Sequence, residues 1–146
     1  MTVTFFGHGN ATSDIIPKLE EVLTDLIRNK NATMFYVGNH GNFDSMVKIT
    51  LKKLKQKFPH IDYAVVLAYL PVKRNDLYSK YYLDTIIPDE IENTPPKYAI
   101  VKRNRWMIDN SDIVVTYVKY IVGGAVQFKL LAEKKGKVVI NIADNK

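Results

Sequence analysis

The 146-residue chain has no cysteine, one tryptophan, three histidines, seven glycines and six prolines. Without thiols it has no disulfide framework, thiolate zinc cluster, cysteine nucleophile or dithiol redox motif. Oxygen, imidazole and backbone groups are left to supply its chemistry. Glycine and proline are too few for a collagen-like or low-complexity chain. No apolar run approaches the roughly 18 residues that a membrane span needs, and the opening Met1-Thr2-Val3-Thr4-Phe5-Phe6 is too short and uncharged for a signal peptide. A cytoplasmic protein with no membrane partner is the expectation. Acidic residues are in deficit, 15 against 21 lysines and arginines, for a net charge of +6. That excess attracts anions but does not distinguish nucleic acid from nucleotide or from a solvated basic face.

With 47% hydrophobic and 25% charged residues, the composition is that of one globular domain spanning residues 1–146. A chain of this size buries roughly 68–70% of its unfolded surface and needs no disulfide or structural metal. No cofactor is expected.

Thr2 to Phe6 reads as a buried strand that stops at Gly7-His8-Gly9-Asn10. Ile15, Ile16, Leu19, Val22, Leu23, Leu26 and Ile27 then repeat at helical spacing, with Asp14 as the expected N-cap and Pro17 in the first turn. Thr33 to Val37 is a second strand running into Gly38-Asn39-His40-Gly41-Asn42. The helix after it, capped by Asn42, sets Phe43, Met46, Val47, Thr50, Leu51 and Leu54 on one face. The lysines on its other sides read as a solvated face. Ala64 to Leu67 is a third strand.

From Pro71 to Pro96 periodicity fails, which suggests a functional loop or lid. Its Tyr78, Tyr81 and Tyr82 suit stacking on a base or packing on the body, with packing favoured. Pro95-Pro96 opens a third helix reaching about Asn110. Asp112 to Val118 is a fourth strand, a short helix runs from Gly123-Gly124 through Lys135, and Lys137 to Ile142 is a fifth strand. Strands alternating with helices predict an α/β, three-layer, Rossmann-like fold, with a mostly parallel sheet of about five strands and helices on both faces.

Open parallel sheets bind ligands beyond the carboxyl ends of their strands, and here three of those ends carry glycines: Gly7 to Gly9, Gly38 to Gly41, and Gly123-Gly124. Glycine lets a backbone approach a ligand, and a helix that starts just afterwards offers free N–H groups to an anion such as phosphate. Neither a Walker A motif nor GxGxxG is present, which removes support for ATPase and dehydrogenase readings. His8 and His40 lack metal-site spacing, so hydrogen bonding within the loops is favoured over a metal, and no metal site is expected. Arg103 and Arg105 are phosphate-pairing candidates, one of them expected to be structural, with Trp106 a candidate for core filling.

Together, Phe5-Phe6-Gly7-His8-Gly9, Gly38-Asn39-His40-Gly41-Asn42-Phe43-Asp44, Arg103-Asn104-Arg105-Trp106-Met107-Ile108-Asp109-Asn110-Ser111-Asp112 and Gly123-Gly124-Ala125 resemble the SLOG superfamily. These are Rossmann-like domains related to DprA-type proteins and to Lonely Guy phosphoribohydrolases. Thr85-Ile86-Ile87-Pro88 and Pro95-Pro96 look like those of a bacterial subgroup of small SLOG proteins. The resemblance implies a nucleotide-like small molecule held across the strand ends by Gly7, His8, Gly38, Asn39, Gly41, Gly123, Gly124 and Ala125. It also implies a homo-oligomer. Arg103 matches the arginine of the Lonely Guy Arg-Lys pair, with Asn104 in place of the lysine. In the motif after it, Phe128 stands where those enzymes have glutamate, and Gln127 is the nearest polar group. Loss of a carboxylate that would support an oxocarbenium-like transition state disfavours N-glycosidic hydrolysis. Asp44 and Asp109 are the candidates to substitute for it, which keeps a hydrolase or transferase acting on nucleoside phosphates as the alternative to binding alone. Single-stranded nucleic-acid binding ranks below both, because the lysines sit mainly on one helix.

Overall fold

The computed structural model describes residues 1–69 and 84–143. Within them the strands are β1 (Thr2–Gly7), β2 (Met34–Val37), β3 (Asp62–Val66), β4 (Thr85–Ile86), β5 (Ile113–Tyr117) and β6 (Val138–Asn141). The helices are α1 (Ile16–Asn29), α2 (Gly41–Lys57), α3 (Asp89–Glu92), α4 (Pro96–Asp109) and α5 (Gly124–Lys134). All described pairings are parallel, in the order β4-β3-β2-β1-β5-β6. This is the expected α/β Rossmann-like sheet.

β1 alternates between the two faces of the sheet. Val3 and Phe5 enter a core shared with Leu19 and Leu23 of α1 and Phe43, Val47 and Leu51 of α2. Phe6 belongs to the opposite cluster, with Met107 and Ile108 of α4 and Ala132 of α5. Trp106 packs partly buried in that second layer, its ring 5.1 Å from Tyr36. The helices therefore cover both faces, and the six apolar positions predicted for α2 are all buried.

Three local expectations are corrected. Asp14 does not cap α1: a single 3-10 turn, Ser13–Ile15, precedes the helix, and the Thr12 hydroxyl donates to the Asp14 carboxylate. Asn42 lies inside α2, whose N-cap is His40; the His40 N–H donates to Asp44 Oδ2 at 3.0 Å. The interval expected to lack regular structure contains β4 and α3 after residue 84. The sheet consequently has six strands among the described residues instead of about five. Two residues of β4 give no readable period, yet they pair through Val65↔Thr85 and Val66↔Ile86. Tyr78, Tyr81 and Tyr82 lie outside the described residues.

Candidate functional site

The loops after β1, β2 and β5 meet at the carboxyl edge of the sheet, and their glycines have different uses. A side chain on Gly7 would enter the Phe43 ring. Gly41 has φ +87°, and a Cβ there would stand 2.7 Å from Gly9 Cα, while the Asn42 N–H donates to the Gly9 carbonyl at 2.9 Å. These glycines let the first two loops pack against each other and against α2. Gly123, at φ +120°, and Gly124 differ: nothing lies within 4 Å of the position a Cβ would occupy. They open α5, whose first N–H groups have no partner in a preceding turn.

His8 joins the first loop to the third. Its N–H donates to the Tyr117 carbonyl at 3.3 Å, its Nε2 accepts the Lys119 N–H at 2.9 Å, and its ring lies 4.6 Å from that of Tyr120. Burial, then the nearby Lys119 charge, lowers its pKa, which favours the neutral imidazole able to accept that bond.

Between these loops, α4 and α5 lies a cavity of about 340 Å³, the size of a small-molecule site. One wall is apolar, made by Ile100, Val101 and Met107 of α4 with Phe6 and Phe128, whose rings stack at 5.4 Å. Gly124, Ala125 and Gln127 bring the start of α5 to it. At the β2 end stand Arg103, Asn104, His40 and Asp44.

Arg103 is 3% exposed. Its Nε donates to Asn104 Oδ1 at 2.7 Å, and Nη1 donates to Asn39 Oδ1 at 3.1 Å and to the Val66 carbonyl at 3.2 Å. Nη2 lies 3.5 Å from His40 Nδ1. Burial lowers the Arg103 pKa against the opposing effect of Asp44, but the guanidinium stays charged. Asp44 is 9% exposed. Burial pushes its carboxyl up to about 6, although the His40 N–H, Arg103 and Lys48 act in the opposite direction. Burial lowers His40 in turn, with Arg103 adding to the effect.

Of the residues singled out in the sequence, Gly7, Arg103, Gly124, Ala125, Gln127 and Asp44 line one cavity. Asn39 accepts from Arg103, and a Cβ on Gly38 would stand 3.2 Å from the Arg103 guanidinium. Gly41, His8 and Gly123 shape the surrounding loops without lining the cavity. Arg105 is exposed on another side of α4. Asp109, at the carboxyl end of α4, pairs with Lys135 beyond α5, at the opposite end of the strands from the cavity.

The apolar wall contributed by α4 was not anticipated. Ile100, Arg103, Asn104 and Met107 follow the i, i+3, i+4, i+7 spacing of one helix face, and a charged residue beside an amide within such a stripe is the sequence signal of a polar site set in a core. Among the described residues no group of three or more histidines and carboxylates is placed to hold a metal ion, and no helix is long and apolar enough to cross a membrane.

Neither a protein-family model nor a curated protein sequence matches the chain. Solved structures do. The chain superposes on DNA processing protein A (DprA) from Streptococcus pneumoniae with a TM-score of 0.69 at 15% identity, over 94% of this chain and 48% of that one. The fold is DprA-like. DprA from Helicobacter pylori, whose structure was described for its mode of binding single-stranded DNA, gives 0.67 at 18% identity over 95% of this chain and 63% of that one. The chain thus spans about half to two-thirds of the length of these two proteins.

Proposed function

We propose that this chain is a SLOG-type module that binds a nucleotide or nucleotide-derived small molecule in the cavity at the strand ends. The observation that supports the reading most directly is the contrast among the glycines. Those of the first two loops are filled against by the protein itself, whereas Gly123 and Gly124 stand in open space at the start of an 11-residue helix bordering the cavity. Open backbone at a helix N-terminus suits a phosphate. The apolar wall suits the flat face of a base, and Arg103 adds positive potential at the far end.

A second reading, single-stranded nucleic-acid binding across the same edge, is favoured by the likeness to the H. pylori protein and by the net charge of +6. Salt dependence separates the two. A strand that neutralises several phosphates loses affinity with a log–log slope on the order of −0.7 per phosphate, whereas a mononucleotide shows a shallow slope.

The deciding experiment is a thermal-shift titration with nucleoside monophosphates and with a 15-nucleotide oligothymidylate at two salt concentrations, followed by mass spectrometry of each mixture. A ligand at about 100 times its dissociation constant adds roughly 2.7 kcal/mol of stability, which is several degrees for a domain of this size. A shift with mononucleotides, little affected by salt, supports the small-molecule site. A shift confined to the oligonucleotide and abolished by salt replaces that reading with the second. Release of free base would make the module a hydrolase despite Phe128 and direct attention to Asp44.

A further inference from the structure

Asp44 is the one carboxylate among the described residues lining the cavity, and its second oxygen is unused. Oδ2 accepts the His40 N–H at 3.0 Å; Oδ1 has no partner among the described residues. Arg103 faces Asp44 across Gly38, whose missing side chain lets both approach the same Cα. The two nevertheless form no ion pair within 4.0 Å among the described residues. The guanidinium is instead committed to Asn104, Asn39 and the Val66 carbonyl. An ionised carboxylate oxygen that takes no donor from the described residues is free to accept one from a ligand in the cavity.

The two ends of the cavity therefore differ in hydrogen-bonding character, because the Asp44 acceptor is left open where the Arg103 donors are largely taken. The start of α5 follows β5, and Asp44 lies in the first turn of the helix after β2. β1 separates the two strands, which puts the ends roughly 10 Å apart at the usual strand spacing. One end offers amide N–H groups to an anion and the other offers an acceptor.

We propose that Asp44 fixes the orientation and class of the ligand: a phosphorylated molecule whose anion lies at Gly124 and Ala125 and whose other end donates a hydrogen bond to the Asp44 carboxylate. A ribose hydroxyl and a base N–H supply the same donor chemistry, while a ligand anionic at both ends places its second charge against a carboxylate. The inference rests on the reading of the cavity as a nucleotide site and adds the selectivity within it.

The test is calorimetric titration of wild-type protein and Asp44→Asn with AMP, 2′-deoxy-AMP, purine riboside 5′-monophosphate, which lacks the 6-amino group, and inorganic phosphate. Thermal melts establish that the variant is folded. Removing the donor that Asp44 accepts weakens wild-type binding about ten- to a hundredfold, the usual range for a hydrogen bond to a charged group. The deoxy probe reports a ribose donor and the purine riboside probe a base donor. In Asp44→Asn that discrimination falls to within about threefold, while affinity for inorganic phosphate is retained or improved because a negative charge has been removed from the cavity. AMP binding with neither donor deletion mattering in the wild type overturns the inference, whether or not the variant folds. Discrimination that persists in a folded Asp44→Asn overturns it as well. Absence of binding by every nucleotide to folded wild-type protein overturns the reading of the cavity itself, and the inference with it.

Discussion

The Asp44 carboxylate occupies the space in which a side chain on Gly38 would begin: a Cβ built there would stand 2.8 Å from Asp44 Oδ2 and 3.2 Å from the Arg103 guanidinium carbon. Gly38 is buried, and neither neighbour can withdraw freely. Asp44 is held by the His40 N–H, and Arg103 by Asn104, Asn39 and Val66. Gly38→Ala should therefore cost about 1–3 kcal/mol, the range for overpacking a closed site, and should move the buried charges that border the cavity. Urea denaturation gives the first quantity and nucleotide affinity reports the second. A variant as stable as the wild type would mean that the Asp44–Arg103 arrangement yields easily and is no fixed feature of the fold.

The glycines nearest the cavity should respond in opposite ways. Gly7→Ala drives a methyl group into the Phe43 ring, which is itself buried in the core beneath α2, so a loss of about 1–3 kcal/mol is expected. Gly124→Ala meets open space at a helix start. Its effect on stability should stay within about 0.5 kcal/mol, as for a surface change away from special features, while binding of phosphate-bearing ligands weakens. Paired denaturation and titration curves distinguish the two. Equal loss of stability in both variants would erase the contrast on which the phosphate assignment to α5 rests.

These glycines also show how far the sequence could be read. Alternating apolar runs and helical stripes announced the parallel sheet, because each element buries its apolar face on its own neighbours. The convergence of Gly7, Gly38 and Gly124 at one edge followed from topology. What a glycine is for did not: Gly7 and Gly124 are the same residue type in strand-to-helix connections, and the Phe43 ring fills the space beside Gly7 while nothing fills that beside Gly124. Caps failed for a similar reason. Asp14 and Asn42 are residue types suited to capping, yet a 3-10 turn ahead of α1 and the reach of Asp44 back to His40 took over those ends. Arg103 and Arg105 are two residues apart on α4, so only their register against the sheet decides which one is buried.

That register sets the next prediction. Arg103→Ala removes a 3% exposed side chain, leaves Asn39, Asn104 and the Val66 carbonyl without their donor, and removes the positive charge nearest Asp44 at that end of the cavity. Truncating one member of such a buried charged network costs about 3–5 kcal/mol, so the variant should be strongly destabilised as well as weakened in ligand binding. Arg105→Ala, at an exposed position, should change stability by no more than about 0.5 kcal/mol. Thermal denaturation of the two variants side by side is sufficient. A stable Arg103→Ala would show that the site tolerates an isolated Asp44 and that the guanidinium serves the ligand alone.

Asp44 should also leave a signature in the pH dependence of folding. Its pKa is raised from 3.8 to about 6 in the native protein, chiefly by burial, with the His40 N–H, Arg103 and Lys48 opposing the shift. A carboxyl whose folded pKa lies above its unfolded value favours folding when neutral. Its contribution is fully present below about pH 3.8 and is lost as the pH rises through about 6. The shift corresponds to about 3 kcal/mol. His8 and His40, both lowered mainly by burial, act in the other direction, contributing stability at higher pH that is lost on acidification, so wild-type stability alone blends these effects. The difference between Asp44→Asn and wild type isolates the carboxyl, because both histidines are present in each protein and the asparagine carbonyl can still accept the His40 N–H. Urea unfolding at pH 4, 5, 6 and 7.5 should show the variant gaining on the wild type by about 2.5 kcal/mol across this range, with the gain levelling off above pH 7. A pH-independent difference would mean that Arg103 compensates the burial of Asp44 fully and that the cavity presents an already neutralised carboxylate.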